Sequence, residues 1–517
     1  MDAMDDLLRR ALDARVGDVL PAPTPLDSAP ILSARLGVPV LIKREDLTPV
    51  FSFKLRGAYN RMARLTPAER AAGVVAASAG NHAQGVAYAA SRLGIDARIV
   101  MPRTTPAIKV DAVRRLGAQI ELAGDGYAAA AERAAEIARA EGRTSIPPFD
   151  DLDVIAGQGT IGLELLHQAP RDTGAVFVPV GGGGLAAGVA AVMKTVRPGL
   201  KVIGVEPDDA DAMRRSLAAG TRVVLEHVGI FADGVAVKQV GEHTFALCRR
   251  WLDGCITVTI DEMCAAIRDV FADTRTILEP SGALAIAGLK RTVQAGEAPQ
   301  GPLVAVASGA NMSFARLGYV AERAAVGEHR EAILAVTIPE RPGAFLEFCA
   351  ALGPRNVTEF NYRLSSRTEA HVFAGVEVAN ADEARALVAE LGRGGHACVD
   401  LSGDDVAKTH IRHMVGGRTP EVHDEVLYDF EFPERPGALL QFLTSLGSRW
   451  NVSLFHYRNH GAAFGRVLCG LEVPPAERAE LRARLDGLGF SYAEATDNPA
   501  GRYFLGSSGI RVGSVTG

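Results

Sequence analysis

Through its first two-thirds the chain alternates short apolar runs with longer amphipathic stretches. Gly73-Val-Val-Ala-Ala77 precedes a helical pattern from Ala83 to Leu93, Ala97-Arg-Ile-Val-Met101 precedes Ala107 to Leu116, and Gln119-Ile-Glu-Leu122 precedes Tyr127 to Ala140. Short strands separated by helices of about a dozen residues call for crossover units and a parallel sheet. A second series after Asp150 places strands at Val176–Val180, Lys201–Val205 and Leu303–Val306, so two α/β lobes are expected. Upstream, residues 4–20 read as a short helix before the proline-rich Pro21–Pro25, and Val40–Lys43 reads as a strand. From about residue 331 the pattern changes to strand, Pro-Gly turn, helix, strand, strand, helix, strand, and it occurs twice. Ala335-Val-Thr-Ile-Pro-Glu-Arg-Pro-Gly-Ala344 returns as Tyr428-Asp-Phe-Glu-Phe-Pro-Glu-Arg-Pro-Gly-Ala438, and Asn356–Arg363 returns as Asn451–Arg458 after one inserted residue, Trp450. The expected organisation is an α/β portion over residues 1–327 and two α+β modules over 331–408 and 425–505. That agrees with a length that asks for several domains at roughly 150 residues each.

In open parallel sheets ligands gather at the carboxyl ends of strands, so the loops there carry the candidate chemistry. After Val40–Lys43 comes Phe51-Ser-Phe-Lys-Leu-Arg-Gly57, opening a helix to Leu65 with Ser52 as the expected N-cap. Lys54 then falls in a first helical turn, where the macrodipole disfavours a cation. A lysine that gives up its proton readily is a nucleophile for a carbonyl cofactor. Phe51 and Phe53 argue against the alternative of a solvated surface lysine.

After the strand at Val74, Ser78-Ala-Gly-Asn-His82 runs into a helix, and N–H groups at a helix start suit a carboxylate. Ser78 and Asn81 serve equally well as helix caps, and His82 as a structural histidine. After Val180 come Gly181, Gly182, Gly183 and Gly184, then Leu185 and a further helix. Four glycines in a row cost roughly 0.5–1 kcal/mol each in chain entropy, which an ordinary turn has no need to spend. Their use is a cup of backbone N–H groups for a phosphate; no Lys-Ser/Thr follows and the spacing is not GxGxxG, so a phosphorylated organic cofactor is expected. Two more loops, Glu279-Pro-Ser-Gly-Ala283 and Ser308-Gly-Ala-Asn-Met312, complete the set.

Composition narrows the classes. Hydrophobic residues make up 48% and charged ones 22%, ordinary for a globular enzyme, and a net charge of −6 without basic runs gives no reason to expect nucleic acid or an anionic membrane. Cys248, Cys255, Cys264, Cys349, Cys398 and Cys469 form no CxxC pair, which fits reduced thiols better than disulfides or zinc. Met1–Asp6 is acidic and lacks the apolar stretch of a signal peptide, and no apolar run approaches the roughly 18 residues of a membrane span. A cytoplasmic enzyme is expected.

In their order, Ser52-Phe-Lys-Leu-Arg-Gly-Ala58, Ser78-Ala-Gly-Asn-His-Ala-Gln-Gly85, Val178-Pro-Val-Gly-Gly-Gly-Gly-Leu-Ala-Ala-Gly188, Phe231-Ala-Asp-Gly-Val-Ala-Val-Lys238 and Glu279-Pro-Ser-Gly-Ala283 closely resemble the fold-type-II pyridoxal-phosphate enzymes of the biosynthetic threonine deaminase family. The repeat resembles an ACT-like, ferredoxin-like regulatory module. The resemblance implies pyridoxal 5'-phosphate bound to Lys54 beside Phe53, Asn81 at its ring hydroxyl, Gly181–Gly184 and Leu185 at its phosphate, and Ser308 at its ring nitrogen. Ser78, Ala79, Gly80, Asn81 and His82 would take the substrate carboxylate. It further implies deamination of L-threonine, and of L-serine, in a homotetramer inhibited by isoleucine and relieved by valine. Serine racemases on the same scaffold carry a serine acid/base where this chain has Ala79, and bind a divalent metal through a loop whose last carboxylate is Ala212 here. No metal site is therefore expected, although Glu206 could attract a looser cation. A β-replacement enzyme and a catalytically dead amino-acid sensor are the alternatives; the repeat argues against the first, and Lys54 with the glycine cup against the second.

Overall fold

The computed structural model describes residues 6–124, 126–229, 231–364, 368–404, 407–408, 412, 422–433, 437–458 and 464–497. The chain divides into two compact units, Met1–Gly327 and Glu328–Gly517.

The first unit holds two sheets. The larger runs in the order Leu26–Ser28, Val40–Arg44, Leu303–Ala307, Ala175–Pro179, Lys201–Pro207, Gly254–Val258, all parallel except the first strand, which pairs antiparallel with the second. The smaller is wholly parallel, in the order Gln119–Leu122, Ala97–Met101, Val74–Ala77, Thr144–Ser145. The central strands read as unbroken apolar runs, as strands covered on both faces must; every residue of Ala175–Pro179 and Leu303–Ala307 is buried. The expected strands are present within a residue or two. Leu26–Ser28, Thr144–Ser145 and Gly254–Val258 add to them. The N-terminal helix is shorter than expected, Leu7–Leu12 followed by a 3-10 turn at Arg15–Asp18, because Asp13 and Gly17 interrupt the pattern.

The second unit carries an eight-stranded antiparallel sheet. Its first module comprises the strands Glu331–Pro339, Val357–Arg363, Glu369–Glu377 and Ala397–Asp400, with helices Ala344–Leu352 and Ala381–Arg393. The second comprises Glu425–Pro433, Asn451–Arg458, Phe464–Glu472 and Ser491–Glu494, with helices Ala438–Leu446 and Arg478–Leu488. In each the strand order is fourth, first, third, second, the ferredoxin-like arrangement. Val357–Arg363 pairs antiparallel with Asn451–Arg458, opposing Phe360 to Tyr457 and Tyr362 to Phe455, so the sheet is continuous across the repeat. Both modules feed one core: Phe345, Phe348, Phe360, Phe442 and Phe455 belong to a single cluster, and the rings of Phe360 and Phe455 meet edge-on at 5.7 Å. The Glu434-Arg435-Pro436 part of the second repeat turn and residues 498–505 lie outside the described residues.

Candidate active site

The segment before Lys54 is stitched to the loop after Leu303–Ala307. Ser52 bridges Gly309, Phe53 N–H donates to the Ser308 carbonyl at 3.1 Å, and Ala310 N–H donates to the Phe51 carbonyl at 2.9 Å. Ser52 is therefore not the N-cap: the helix is Lys54–Ala63, its cap position is Phe53, and no side chain caps it. Strand-like pairing with Gly309 has claimed the serine instead. Phe51 pays for this path with a left-handed φ of 55°, sparsely populated for an aromatic residue.

Lys54 Nζ donates to the Pro148 carbonyl at 2.9 Å and lies 5.2 Å from the centre of the Phe53 ring. Desolvation lowers its pKa to about 8, against an opposing pull from Glu279. Burial is thus what disfavours the charged form. At neutral pH the fraction of free amine rises roughly a few hundredfold over an ordinary lysine.

Two positions on, Arg56 is fully buried and anchors the same helix. It makes paired 2.8 Å bonds to both oxygens of Glu45 and a 2.6 Å bond to Glu164, which also accepts from Lys43 at 2.5 Å. Removing one member of a buried, hydrogen-bonded charge set leaves the others unpaired and costs about 3–5 kcal/mol. Arg56→Met is accordingly expected to lower stability by that amount, read as a reduced denaturation midpoint in urea. An unchanged midpoint would remove the anchoring role.

The turn after Val74–Ala77 heads the helix Asn81–Leu93, capped at Gly80 without a side-chain bond, so neither Ser78 nor Asn81 is the helix cap. Ser78 Oγ accepts from Gly80 N–H at 3.3 Å, and Ser78, Ala79 and Gly80 are half-buried. Asn81 is occupied on both atoms, donating to Glu279 at 2.5 Å and accepting from Asn311 at 2.7 Å. His82 is buried with Nε2 2.8 Å from the Ile146 carbonyl, and burial, with Lys54 nearby, pushes its pKa down to about 3. A neutral ring tied to a carbonyl is a structural histidine in its side chain, leaving only its backbone for a ligand.

The four glycines are required by what surrounds them. A Cβ on Gly182 would sit 2.2 Å from the Phe149 ring, and Gly183 has φ +96° with Met213 and Thr244 packed against it. Thr244 Oγ1 donates to the Gly182 carbonyl at 2.6 Å, and Gly184 opens the helix to Val196, so the cup and helix N-terminus coincide. One pocket is lined by Phe53, Lys54, Asn81, Gly181, Gly182, Gly183, Gly184, Leu185 and Ser308 together with Phe149, Pro179, Gly234, Val235 and Ser281. Ser308 is buried and its hydroxyl donates to the Ser281 carbonyl over 3.3 Å. Glu279-Pro-Ser-Gly is not a free loop: Pro280 begins a helix to Gln294, with Glu279 at its cap position. Phe149, Pro148 and Thr244 had no sequence signal, since each acts through a neighbour distant in the chain, whereas Val235 lies within the Phe231–Lys238 motif. A phosphate cradle that side chains would fill and a buried amine opening into the same pocket fit pyridoxal phosphate.

Glu206, by contrast, has both oxygens engaged by backbone, accepting from Met213 and Arg214 N–H at 2.8 Å each. Burial raises its pKa to about 7. Cys255 Sγ approaches at 3.5 Å, and among the described residues no group of three His, Cys, Asp or Glu is arranged for a metal.

Comparison with known proteins places this geometry. A family model described as pyridoxal-phosphate dependent enzyme matches residues 19–309, and one described as the C-terminal regulatory domain of threonine dehydratase matches residues 322–411 and 416–505. The biosynthetic L-threonine dehydratase of Burkholderia multivorans is 54% identical over 506 residues, spanning 97% of this chain and all of the relative. The chain belongs to the biosynthetic threonine dehydratases. It is therefore a pyridoxal-phosphate-dependent lyase with a regulatory domain, and deamination of L-threonine is the activity of its family. The Escherichia coli biosynthetic enzyme is 51% identical over 97% of both chains. Among solved structures, processed threonine deaminase isoform 2 of Solanum lycopersicum matches with TM-score 0.61 and 52% identity over 63% of this chain and 94% of that one. Maize serine racemase matches with TM-score 0.56 and 31% identity over 61% of this chain and 95% of that one. Among the described residues no helix is long and apolar enough to cross a membrane.

Proposed function

We propose that this dehydratase converts L-threonine to 2-oxobutanoate and ammonia, and L-serine to pyruvate and ammonia, with Lys54 as both cofactor anchor and base. The observation that carries the reading is the opening of the Lys54 amine and the glycine cup into one pocket. Gly181–Gly184 and Leu185 would hold the phosphate with backbone N–H groups at a helix start. Phe53 would flank the cofactor, Asn81 would offer a donor to its ring oxygen, and Ser308 would meet its ring nitrogen. When bound, the cofactor withdraws electrons from the substrate α-carbon. The backbone of Ser78–His82 would receive the substrate carboxylate, and the Lys54 amine would take the α-proton as the β-hydroxyl departs as hydroxide. The Ser308 contact to Ser281 is long for a hydroxyl donor, so its hydrogen can turn to the ring nitrogen. A neutral hydroxyl would not hold that nitrogen protonated, so electron withdrawal would be weaker and loss of the β-group favoured. The test is release of ammonia and 2-oxobutanoate from L-threonine by the loaded full-length chain; no release would overturn the reading.

Ala79 offers no proton to the opposite face of the substrate. L-Serine is therefore expected to yield pyruvate with D-serine formed at under about one part in a hundred, since a positioned acid/base group is worth 10²–10⁴. Chiral chromatography showing D-serine at a rate comparable to pyruvate would sink this point.

Isoleucine as inhibitor and valine as its antagonist complete the proposal, acting through modules 331–408 and 425–505 on the catalytic portion 1–327 of a cytoplasmic homotetramer. Two matching grooves in the second unit support a small-ligand role. One is lined by Glu340, Arg341 and Gly343 with Leu446, Trp450 and Asn451; the other by Gly437, Ala438 and Leu440 with Leu352, Arg355 and Val357. Each pairs one module's turn glycine, Gly343 or Gly437, with the other module's first helix and second strand.

A further inference from the structure

Side-chain amides usually leave their orientation open, because oxygen and nitrogen exchange places without changing shape. Beside the Lys54 pocket that freedom is gone. Asn311 Nδ2 lies 2.9 Å from the Val50 carbonyl and 2.7 Å from Asn81 Oδ1. A carbonyl only accepts, so the Asn311 atom facing Val50 is the amide nitrogen, and its second hydrogen goes to Asn81. Asn81 must then present its oxygen to Asn311 and its nitrogen to Glu279, whose Oε1 accepts at 2.5 Å. Glu279 is buried, and its own N–H donates to the Gly309 carbonyl at 3.2 Å, which holds its backbone beside the pocket. One hydrogen of Asn81 Nδ2 is left over, on a residue that lines the pocket.

We propose that the relay from the Val50 carbonyl through Asn311 and Asn81 to Glu279 fixes Asn81 as a donor toward the pocket, so that the cofactor's ring oxygen is taken as an acceptor, in its ionised form. The inference rests on the reading that Asn81 meets that oxygen. It adds Asn311 and Glu279 as positioning residues. Were Asn81 turned over, its carbonyl would face the pocket and select the un-ionised hydroxyl, a species one proton different. A donor to an ionised oxygen makes the stronger, charge-assisted bond. Glu279 keeps an oxygen able to accept in either of its ionisation states, so the direction of the relay is decided at the Val50 end.

The two ring forms absorb at different wavelengths, so their ratio in the bound cofactor reads the relay without turnover. Asn311→Leu is expected to raise the un-ionised band about tenfold relative to the ionised one, the effect of losing one hydrogen bond to a charged group. Asn81→Ala should do the same, and Asn311→Leu should add nothing in the Asn81→Ala background. If the leucine variant fails to fold, the isosteric Asn311→Asp sets acceptors against Val50 and Asn81 and must give the same shift. Glu279→Gln keeps an acceptor and should stay within about twofold of wild type, while Glu279→Ala should not. An unshifted ratio in Asn81→Ala would remove the reading of Asn81 itself. A shift in Asn81→Ala without one in Asn311→Leu, or an undiminished Asn311→Leu effect in the absence of Asn81, would overturn the relay and leave that reading standing.

Discussion

Lys54→Ala is expected to abolish the visible absorbance of the lysine-bound cofactor and to lower turnover of L-threonine by more than about 10⁴-fold, the combined loss of anchor and base. The fold should survive, because Lys54 occupies the first position of its helix and its amine bonds the Pro148 carbonyl rather than a buried charge. Neighbouring Lys43 cannot substitute. Its amine is committed to the Thr24 carbonyl, Glu164 and Gln168 at 2.7, 2.5 and 2.8 Å. Circular dichroism shows whether the variant is folded, and borohydride reduction shows whether any lysine still binds the cofactor. Wild-type-like absorbance that remains reducible would transfer the role to another lysine.

A chain ended at Gly327 should still deaminate L-threonine but lose its response to isoleucine. Every residue assigned to catalysis lies upstream of that point, and Gly327 is also where the first compact unit ends. An effector changes activity only through different affinities for two states, and such coupling is typically about 1–3 kcal/mol, a 5–150-fold change in affinity. The measurement is an isoleucine titration of the soluble truncated enzyme. Retained inhibition at the same midpoint would place the effector site in the catalytic unit.

What could be read from the sequence was whatever a local cost made visible. Four adjacent glycines are expensive enough to need a reason, and the alternation from Gly73 to Ala140 has one period per element, so both were legible. The duplicated Pro-Gly turn was legible because it recurs. Ser52 misled because a serine before a helix is a good cap in isolation, and only the distant Gly309 shows that it pairs as a strand. Phe149 was silent for the same reason: its value comes from lying against Gly182, across the pocket and far along the chain. Glu279 looked like part of a turn because proline and glycine follow it, yet proline is as much at home in a helix's first turn. The structural bond of the His82 ring was not legible from its neighbours, since the Ile146 carbonyl that engages it comes from another strand's end.

The seam between Val357–Arg363 and Asn451–Arg458 has a consequence for how such a unit can be taken apart. A strand at the rim of a sheet exposes unpaired amides and invites strangers. Here each half hides the other's open rim, and because both lie on one chain the partner needs no second molecule. Neither half expressed by itself would inherit that protection. A lone half should seek a copy of itself, so that cutting the pair yields not two small monomers but a self-associating fragment whose association state rises with concentration.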